Sequence, residues 1–122
     1  MKDVVLKWTT AAGGGATTNG TFAIHGELYA IDYLPGDTDT GATVTVTDEG
    51  FMSHTLLVKA SAGTANLRFY PRDLVHAAAD GAALTGSAGG DRACPIIAGT
   101  PRVVIASGGN VKSGSVVIHY ED

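Results

Sequence analysis

Four histidines and a single cysteine are the residues of this chain best suited to metal binding or nucleophilic chemistry. Zinc ligands usually recur about two to five residues apart, and none of His25, His54, His76 and His119 stands at such a spacing from another or from Cys94. The sequence has no Gly-x-Ser-x-Gly motif, which would mark a hydrolase nucleophile. We therefore expect no catalytic residue, no cofactor and no bound metal, and we interpret the chain as non-enzymatic.

The acidic run from Asp37 to Gly41 resembles the start of a calcium-binding loop, and Asp48 stands eleven residues after Asp37. The glycine of such a loop occupies the sixth position, whereas Gly41 stands one position early. The residues that would wrap the ion alternate as a strand instead. We interpret this run as a solvated turn.

The run Phe69-Tyr70-Pro71-Arg72 has the residue types of a protein-binding surface. It ends a predicted strand with two aromatic residues on opposite faces, and its proline stops the hydrogen-bond ladder and leaves the arginine at the rim. Tyrosine and arginine are enriched where proteins meet. A structural interpretation stays open, with Phe69 in the core and Arg72 paired to Asp73 or Asp91. The full set of predicted interface residues is Tyr70, Arg72, Arg92, Cys94, Pro95 and His119.

The elements that must position these residues are β-strands. Valine and threonine alternate from Ala42 to Thr47, which is typical of a strand buried on one face. Alternation also places His25 and His119 opposite Ile24 and Ile118, on outer faces. The same period of two recurs in Val4-Leu6-Trp8, Leu67-Phe69, Val103-Ile105 and Val116-Ile118-Tyr120, and residues 22–34 read as a central strand.

Glycine-rich turn signals separate seven or eight such strands, which predicts an all-β fold. We expect one domain over residues 1–122, folded as an antiparallel β-sandwich, with a small β-barrel as the alternative. At most one short helix is expected near residues 73–80, between Pro71 and Gly81. Residues 85–100 lack periodicity, and an unpatterned stretch of that length suggests a binding loop.

Composition and charge narrow the function classes. Apolar residues make up 44% of the chain, too many for intrinsic disorder, and the formal charge of −4 argues against nucleic-acid binding. The apolar run near the first residues is too short for a signal peptide, and no stretch is long enough to span a membrane. With 17 glycines and many small side chains the core is thin, so we expect burial against partners and a homo-oligomer.

Segments over most of the chain share a pattern with a known group of proteins; they are residues 28–31, 35–42, 69–72, 80–86 and 108–117. In these segments the chain resembles small β-rich accessory proteins of tailed bacteriophage virions, especially those that decorate or cement the head. The resemblance implies a structural protein that binds the outer surface of the capsid at joints between major capsid subunits and stabilises it. It also implies assembly in the host cytoplasm and location on the virion. Some decoration proteins form trimers.

Two further classes stay open from the sequence. A head-to-tail connector or a tail component would use the same fold and the same cellular route. A carbohydrate-binding module would need a platform of exposed aromatic residues, and Trp8 alternates with predicted core residues. Only Tyr29, Tyr33, Tyr70 and Tyr120 remain for such a platform.

Overall fold

The computed structural model describes residues 1–50, 53–74 and 92–122. These residues form β-strands and no helix, which confirms the all-β prediction. In chain order the strands are β1 Lys2–Thr9, β2 Ala16–Asn19, β3 Ile24–Leu34, β4 Thr43–Glu49, β5 Ser53–Lys59, β6 Leu67–Phe69, β7 Asp73–Leu74, β8 Arg92–Ala93, β9 Ile96–Ala106 and β10 Ser113–Glu121.

Eight of these strands form one antiparallel sheet in the order β1-β10-β3-β9-β4-β5, with β2 beside β9 and β6 beside β3. The long strand β3 has three neighbours: Ile24–Glu27 pairs with the start of β9, and the later residues pair with β10 on one side and β6 on the other. The sheet therefore divides into a half made of β1, β10, β3 and β6 and a half made of β2, β9, β4 and β5. In the described ranges no ladder joins β1 to β2, so the sheet is not closed into a barrel and the arrangement is sandwich-like.

The core follows from the period of two along each strand. In β1 the side chains of Val4, Leu6 and Trp8 are buried while their neighbours are exposed. Both halves of the sheet contribute to a single apolar cluster, so they bury their inner faces against each other. Its largest fully buried members are Tyr33, Ile24, Leu28, Ile31, Ile97, Ile105 and Ile118.

The turn after β3 is anchored in this core. The ring of Trp8 stacks on Tyr33 with 6.0 Å between centroids, and its Nε1 donates a hydrogen bond to Oγ1 of Thr38 at 3.2 Å. Thr38 is only 1% exposed, so the prediction of a fully solvated turn is wrong at this residue. The physical reason is that the buried indole N–H needs an acceptor. Asp37 in the same turn accepts a hydrogen bond from the backbone N–H of Ser113 at 2.6 Å.

Two expectations concern the second half of the chain. At most one short helix is expected near residues 73–80, and Asp73–Leu74 at the start of that range is strand β7, which pairs with β8. Residues 75–80 lie outside the described residues. The loop predicted over residues 85–100 is wrong for residues 96–100, which open strand β9. Residues 96–99 pair with β3 and Thr100 pairs with β4, both far away in sequence. Residues 85–91 also lie outside the described residues.

Candidate functional site

A β-bulge on β3 shapes the outer surface of the first half of the sheet. His119 pairs with Ala30 and Tyr120 pairs with Leu28, so Tyr29 is an extra residue opposite the β10 ladder. The bulge lets Leu28 and Ile31, three positions apart, both face the core, because it resets the alternation between them. The side chain of Tyr29 stays 43% exposed on the outside.

Tyr29 meets the end of β6 in what we call the aromatic–arginine patch, made of Tyr29, Tyr70 and Arg72. The two rings pack edge to face with 6.1 Å between centroids and an interplanar angle of 89°. The guanidinium carbon of Arg72 lies 5.8 Å from the Tyr29 centroid and 5.9 Å from the Tyr70 centroid. Both distances are within the range of cation–π attraction. The patch is therefore a preassembled surface of the residue types that dominate protein interfaces.

Backbone contacts hold the arginine in this position. Its Nη1 donates to the carbonyl oxygens of Tyr29 at 3.1 Å and Pro71 at 2.6 Å. An arginine held in this way loses little conformational freedom when a partner binds. The predicted pairing of Arg72 with Asp73 or Asp91 involves side chains outside those that the structure describes.

Other residues predicted for the interface lie close to the patch. Strand β7 pairs with β8 through Asp73 and Ala93, so Arg72 and Cys94 flank the same end of this short ladder. The buried Pro95 accepts a hydrogen bond from the N–H of Leu28 at 2.8 Å, next to the bulge. Cys94 is partly exposed. Arg92 contributes its backbone to β8, and its side chain lies outside what the structure describes.

His119 lies on the outer face, as alternation predicts, but it is not a free surface histidine. Its Nδ1 lies 2.5 Å from Oδ1 of Asp3 on β1, and its Nε2 lies 2.9 Å from Oδ2 of Asp32 on β3. Arg68 on β6 completes the row with two hydrogen bonds to Asp32, from Nε at 2.5 Å and from Nη2 at 2.8 Å. We call Asp3, His119, Asp32 and Arg68 the charged row; it crosses four adjacent strands.

The row has a defined charge state. Hydrogen bonding from Arg68, opposed by partial burial and assisted by His119, lowers the pKa of Asp32 to about 2. Burial tends to lower the pKa of His119, but the carboxylates of Asp32 and Asp3 outweigh it and raise the pKa above 6.5. The pKa of Arg68 is raised by Asp32 first and then by the nearby Tyr70, a member of the patch. The row and the patch are therefore adjacent.

This geometry does not suit general base catalysis. A catalytic histidine needs one ring nitrogen free to take a proton from a substrate or a nucleophile. Within the described residues, both ring nitrogens of His119 face carboxylates, which favours the doubly protonated ring. The row is suited instead to fastening β1, β10, β3 and β6 together on their outer face.

No group of three or more His, Cys, Asp or Glu side chains arranged to hold a metal ion occurs within residues 1–50, 53–74 and 92–122. Across the same ranges the structure has no helix that is both long and apolar enough to cross a membrane.

The structure brings together several of the residues that the sequence predicted for an interface. Near the end of β6 and the β7–β8 ladder lie Tyr70, Arg72, Cys94 and Pro95, and the adjoining charged row contains His119. Sequence reasoning missed Tyr29, Asp3, Asp32 and Arg68. The sequence around Tyr29 did carry a usable signal, because apolar residues occur there on both faces of the predicted strand, which suggests a bulge. The partners of His119 left no local signal.

Comparisons with protein-family models, with curated proteins and with solved structures give no match for this chain.

Proposed function

We propose that this chain is a non-enzymatic module that binds other protein surfaces. The observation that carries the proposal is the aromatic–arginine patch, in which two exposed tyrosines and one arginine are held together before any partner arrives. At protein interfaces a few residues of these types usually contribute most of the binding free energy, as substitution by alanine shows. The two hydrogen bonds that fix Arg72 reduce the entropy lost on binding.

Within that class, the particular role we propose is that of a decoration or cement protein of a tailed-phage capsid. Support for this step comes from the sequence pattern that resembles such proteins and from the sandwich-like fold expected with it. Many copies bound across joints between major capsid subunits would stabilise the shell by mass action, without any catalytic step. A connector or tail component stays as the alternative, because the same patch and fold would serve it.

The patch argues against the carbohydrate-binding alternative. Sugar-binding platforms present aromatic rings flat to the ligand, whereas Tyr29 and Tyr70 pack edge to face beneath a guanidinium. Trp8, the only tryptophan, is 3% exposed and belongs to the core.

The test is cosedimentation of the purified chain with empty phage heads that lack it, comparing wild type with Tyr70→Ala, Arg72→Ala and the double variant. We expect each single variant to weaken binding by about 1–3 kcal/mol, because contacts at the centre of an interface dominate affinity. Lys59→Ala, on the exposed end of strand β5 in the other half of the sheet, is the matched control and should bind like wild type.

Thermal unfolding of each variant must stay close to wild type for the comparison to count, and the partly exposed positions of the patch make this the expected result. Equal binding by the double variant and wild type would refute the role of the patch. Binding to isolated tails but not to heads would replace the decoration role with the tail alternative.

A further inference from the structure

The turn between β9 and β10 holds a valine in a backbone conformation that valine rarely adopts. Asn110 and Val111 are the central residues of this turn, which we call the 109–112 turn, and Val111 has a φ of 53°. A turn with a positive φ at its third position normally has glycine or asparagine there, because a side chain branched at Cβ collides with the backbone. The turn therefore carries backbone strain at Val111.

Hydrogen bonds from one buried residue hold the turn in this conformation. Thr10, only 3% exposed, donates from its backbone N–H to the carbonyl oxygen of Lys112 at 2.7 Å and from Oγ1 to the carbonyl oxygen of Gly109 at 2.6 Å. The same Oγ1 accepts a hydrogen bond from the N–H of Lys112 at 2.8 Å. Both ends of the turn are thus fixed, which is the condition under which a strained residue persists.

The residue that precedes the turn is fastened to two other loops. Gly108 donates a hydrogen bond to the carbonyl oxygen of Gly14 at 2.8 Å and accepts one from the N–H of Asp39 at 3.0 Å. The 109–112 turn is consequently a rigid projection from the end of the sheet. A side chain presented on a rigid backbone loses little conformational freedom when it binds a partner.

Packing within the chain does not explain the valine. The side chain of Val111 is 62% exposed, so it contributes little to the apolar core. Glycine would relieve the strain, and glycine already stands at positions 108 and 109 just before the turn. A valine here strains the backbone and exposes apolar surface to water, and both effects lower the stability of the isolated chain. Residues with strained backbone are concentrated at binding and catalytic sites, where the strain serves the contact.

The charges beside the turn restrict the kind of partner. A methyl group on Gly109 would lie 2.6 Å from Oδ2 of Asp39, so this carboxyl group lies directly against the turn. Just beyond the turn, the carboxyl group of Asp37 accepts the hydrogen bond from Ser113. Two carboxylates at this position disfavour nucleic-acid phosphates and anionic lipid headgroups. One branched apolar side chain on a rigid turn fits an apolar pocket in a protein surface instead.

We propose that Val111 anchors the 109–112 turn in an apolar pocket on the surface of a protein partner. This inference rests on the proposed function and gives it a second contact point, so the partner is the major capsid subunit. Tyr29 of the aromatic–arginine patch stands five residues before Leu34, which pairs with Ser115 near the turn, so the two contact points lie about 20–25 Å apart along the strands. A protein interface of ordinary size spans this distance.

The test measures the thermal unfolding midpoint of each variant and its cosedimentation with empty phage heads. Val111→Asn relieves the strain and removes the apolar group, so it should raise the midpoint by about 4 °C and weaken binding about tenfold. Val111→Ala keeps a Cβ on the same backbone and loses two methyl groups, so it should also bind about tenfold more weakly. Wild-type affinity in either variant, or a lower midpoint in Val111→Asn, overturns the inference.

Two matched controls separate the contact from general effects of apolar exposure and of strain. Val58→Ala removes a valine of nearly the same exposure, 60%, from strand β5 and should bind like wild type. Ser61→Gly relieves another left-handed backbone conformation, with a φ of 48°, and should leave binding unchanged. Equal loss of binding in Val111→Ala and Val58→Ala, or in Val111→Asn and Ser61→Gly, overturns the inference.

The same assay distinguishes this inference from the proposed function. If heads bind wild type, lose Tyr70→Ala and retain Val111→Asn, the inference is overturned and the proposed function stands. If wild type does not bind heads at all, the capsid role and the inference fall together.

Discussion

His119 joins three strands through one side chain. Its two ring nitrogens reach Asp3 on β1 and Asp32 on β3, while its own backbone belongs to β10 between them. Arg68 extends the row to β6 through the same Asp32. Such a row contributes most when the ring is positively charged and both carboxylates are negative, so its contribution to folding depends on pH.

The sign of this dependence differs at the two ends of the pH range. The pKa of His119 in the folded chain is raised above 6.5, so the stability that it contributes is full below 6.5 and is lost as pH rises through the raised value. The pKa of Asp32 is lowered from 3.8 to about 2, so its contribution is full above 3.8 and is lost as pH falls towards 2. We expect the row to be most stabilising between pH 3.8 and 6.5.

The measurement is the free energy of unfolding in urea across this pH range, combined with the NMR titration of the His119 ring protons. The titration should give a pKa above 6.5, and Asp3→Asn should lower it because one of the two carboxylates is lost. A His119 pKa at or below 6.5 in the folded wild type would contradict the geometry of the row.

At the scale of elements, glycine allows some neighbouring segments to approach more closely than any larger residue would. Gly114 is the second residue of β10 and pairs with Trp8 of β1. A methyl group at this position would lie 2.6 Å from Cζ2 of the Trp8 ring and 2.7 Å from the carbonyl oxygen of Pro35. The ring is buried against Tyr33 and the carbonyl is backbone, so neither neighbour has room to move away.

Gly114→Ala should therefore destabilise the chain by about 3 kcal/mol, the upper range for overpacking a core. Chemical denaturation with a tryptophan fluorescence readout measures both the loss and the change around Trp8. Gly41→Ala is the matched control, because a methyl group there meets nothing within 4 Å. It should be neutral or slightly stabilising, since alanine has less conformational freedom in the unfolded chain. Equal effects of the two substitutions would show that Gly114 is not in close contact.

At the scale of the whole molecule, the first strand, β1, pairs with β10 near the other end of the sequence. β10, the last strand, lies between β1, the first strand, and β3 near the middle of the same half of the sheet. Lys2 pairs with Tyr120, so this half of the sheet forms through contacts between residues far apart in the sequence. Val116 and Ile118 of β10 are fully buried in the shared core.

A chain truncated before Ser113 should consequently fail to fold, because β1 and β3 lose the partner between them together with much of the core. Amide proton dispersion in NMR and near-ultraviolet circular dichroism report the loss. A chain lacking only Asp122 is the control; it loses an exposed ion pair with Lys2 and should melt close to wild type. A cooperative thermal transition in the longer truncation would contradict the central role of β10.

The sequence alone determined which residues form most strands and which faces they bury. Alternation in Val4-Leu6-Trp8 and in Val116-Ile118-Tyr120 is a local property, because the side chains of a strand point to opposite faces with a period of two. The sequence also indicated that a strand ends in the run Phe69-Tyr70-Pro71-Arg72, since proline cannot continue the hydrogen-bond ladder.

Only the tertiary structure decided which of these residues meet. His119 finds Asp3 and Asp32 because β10 lies between β1 and β3, an order that no local pattern encodes. Tyr29 reaches Tyr70 and Arg72 because a single extra residue shifts the β3 register. Strand order and register arise from packing summed over the whole core, so residues distant in sequence become neighbours only once the chain has folded.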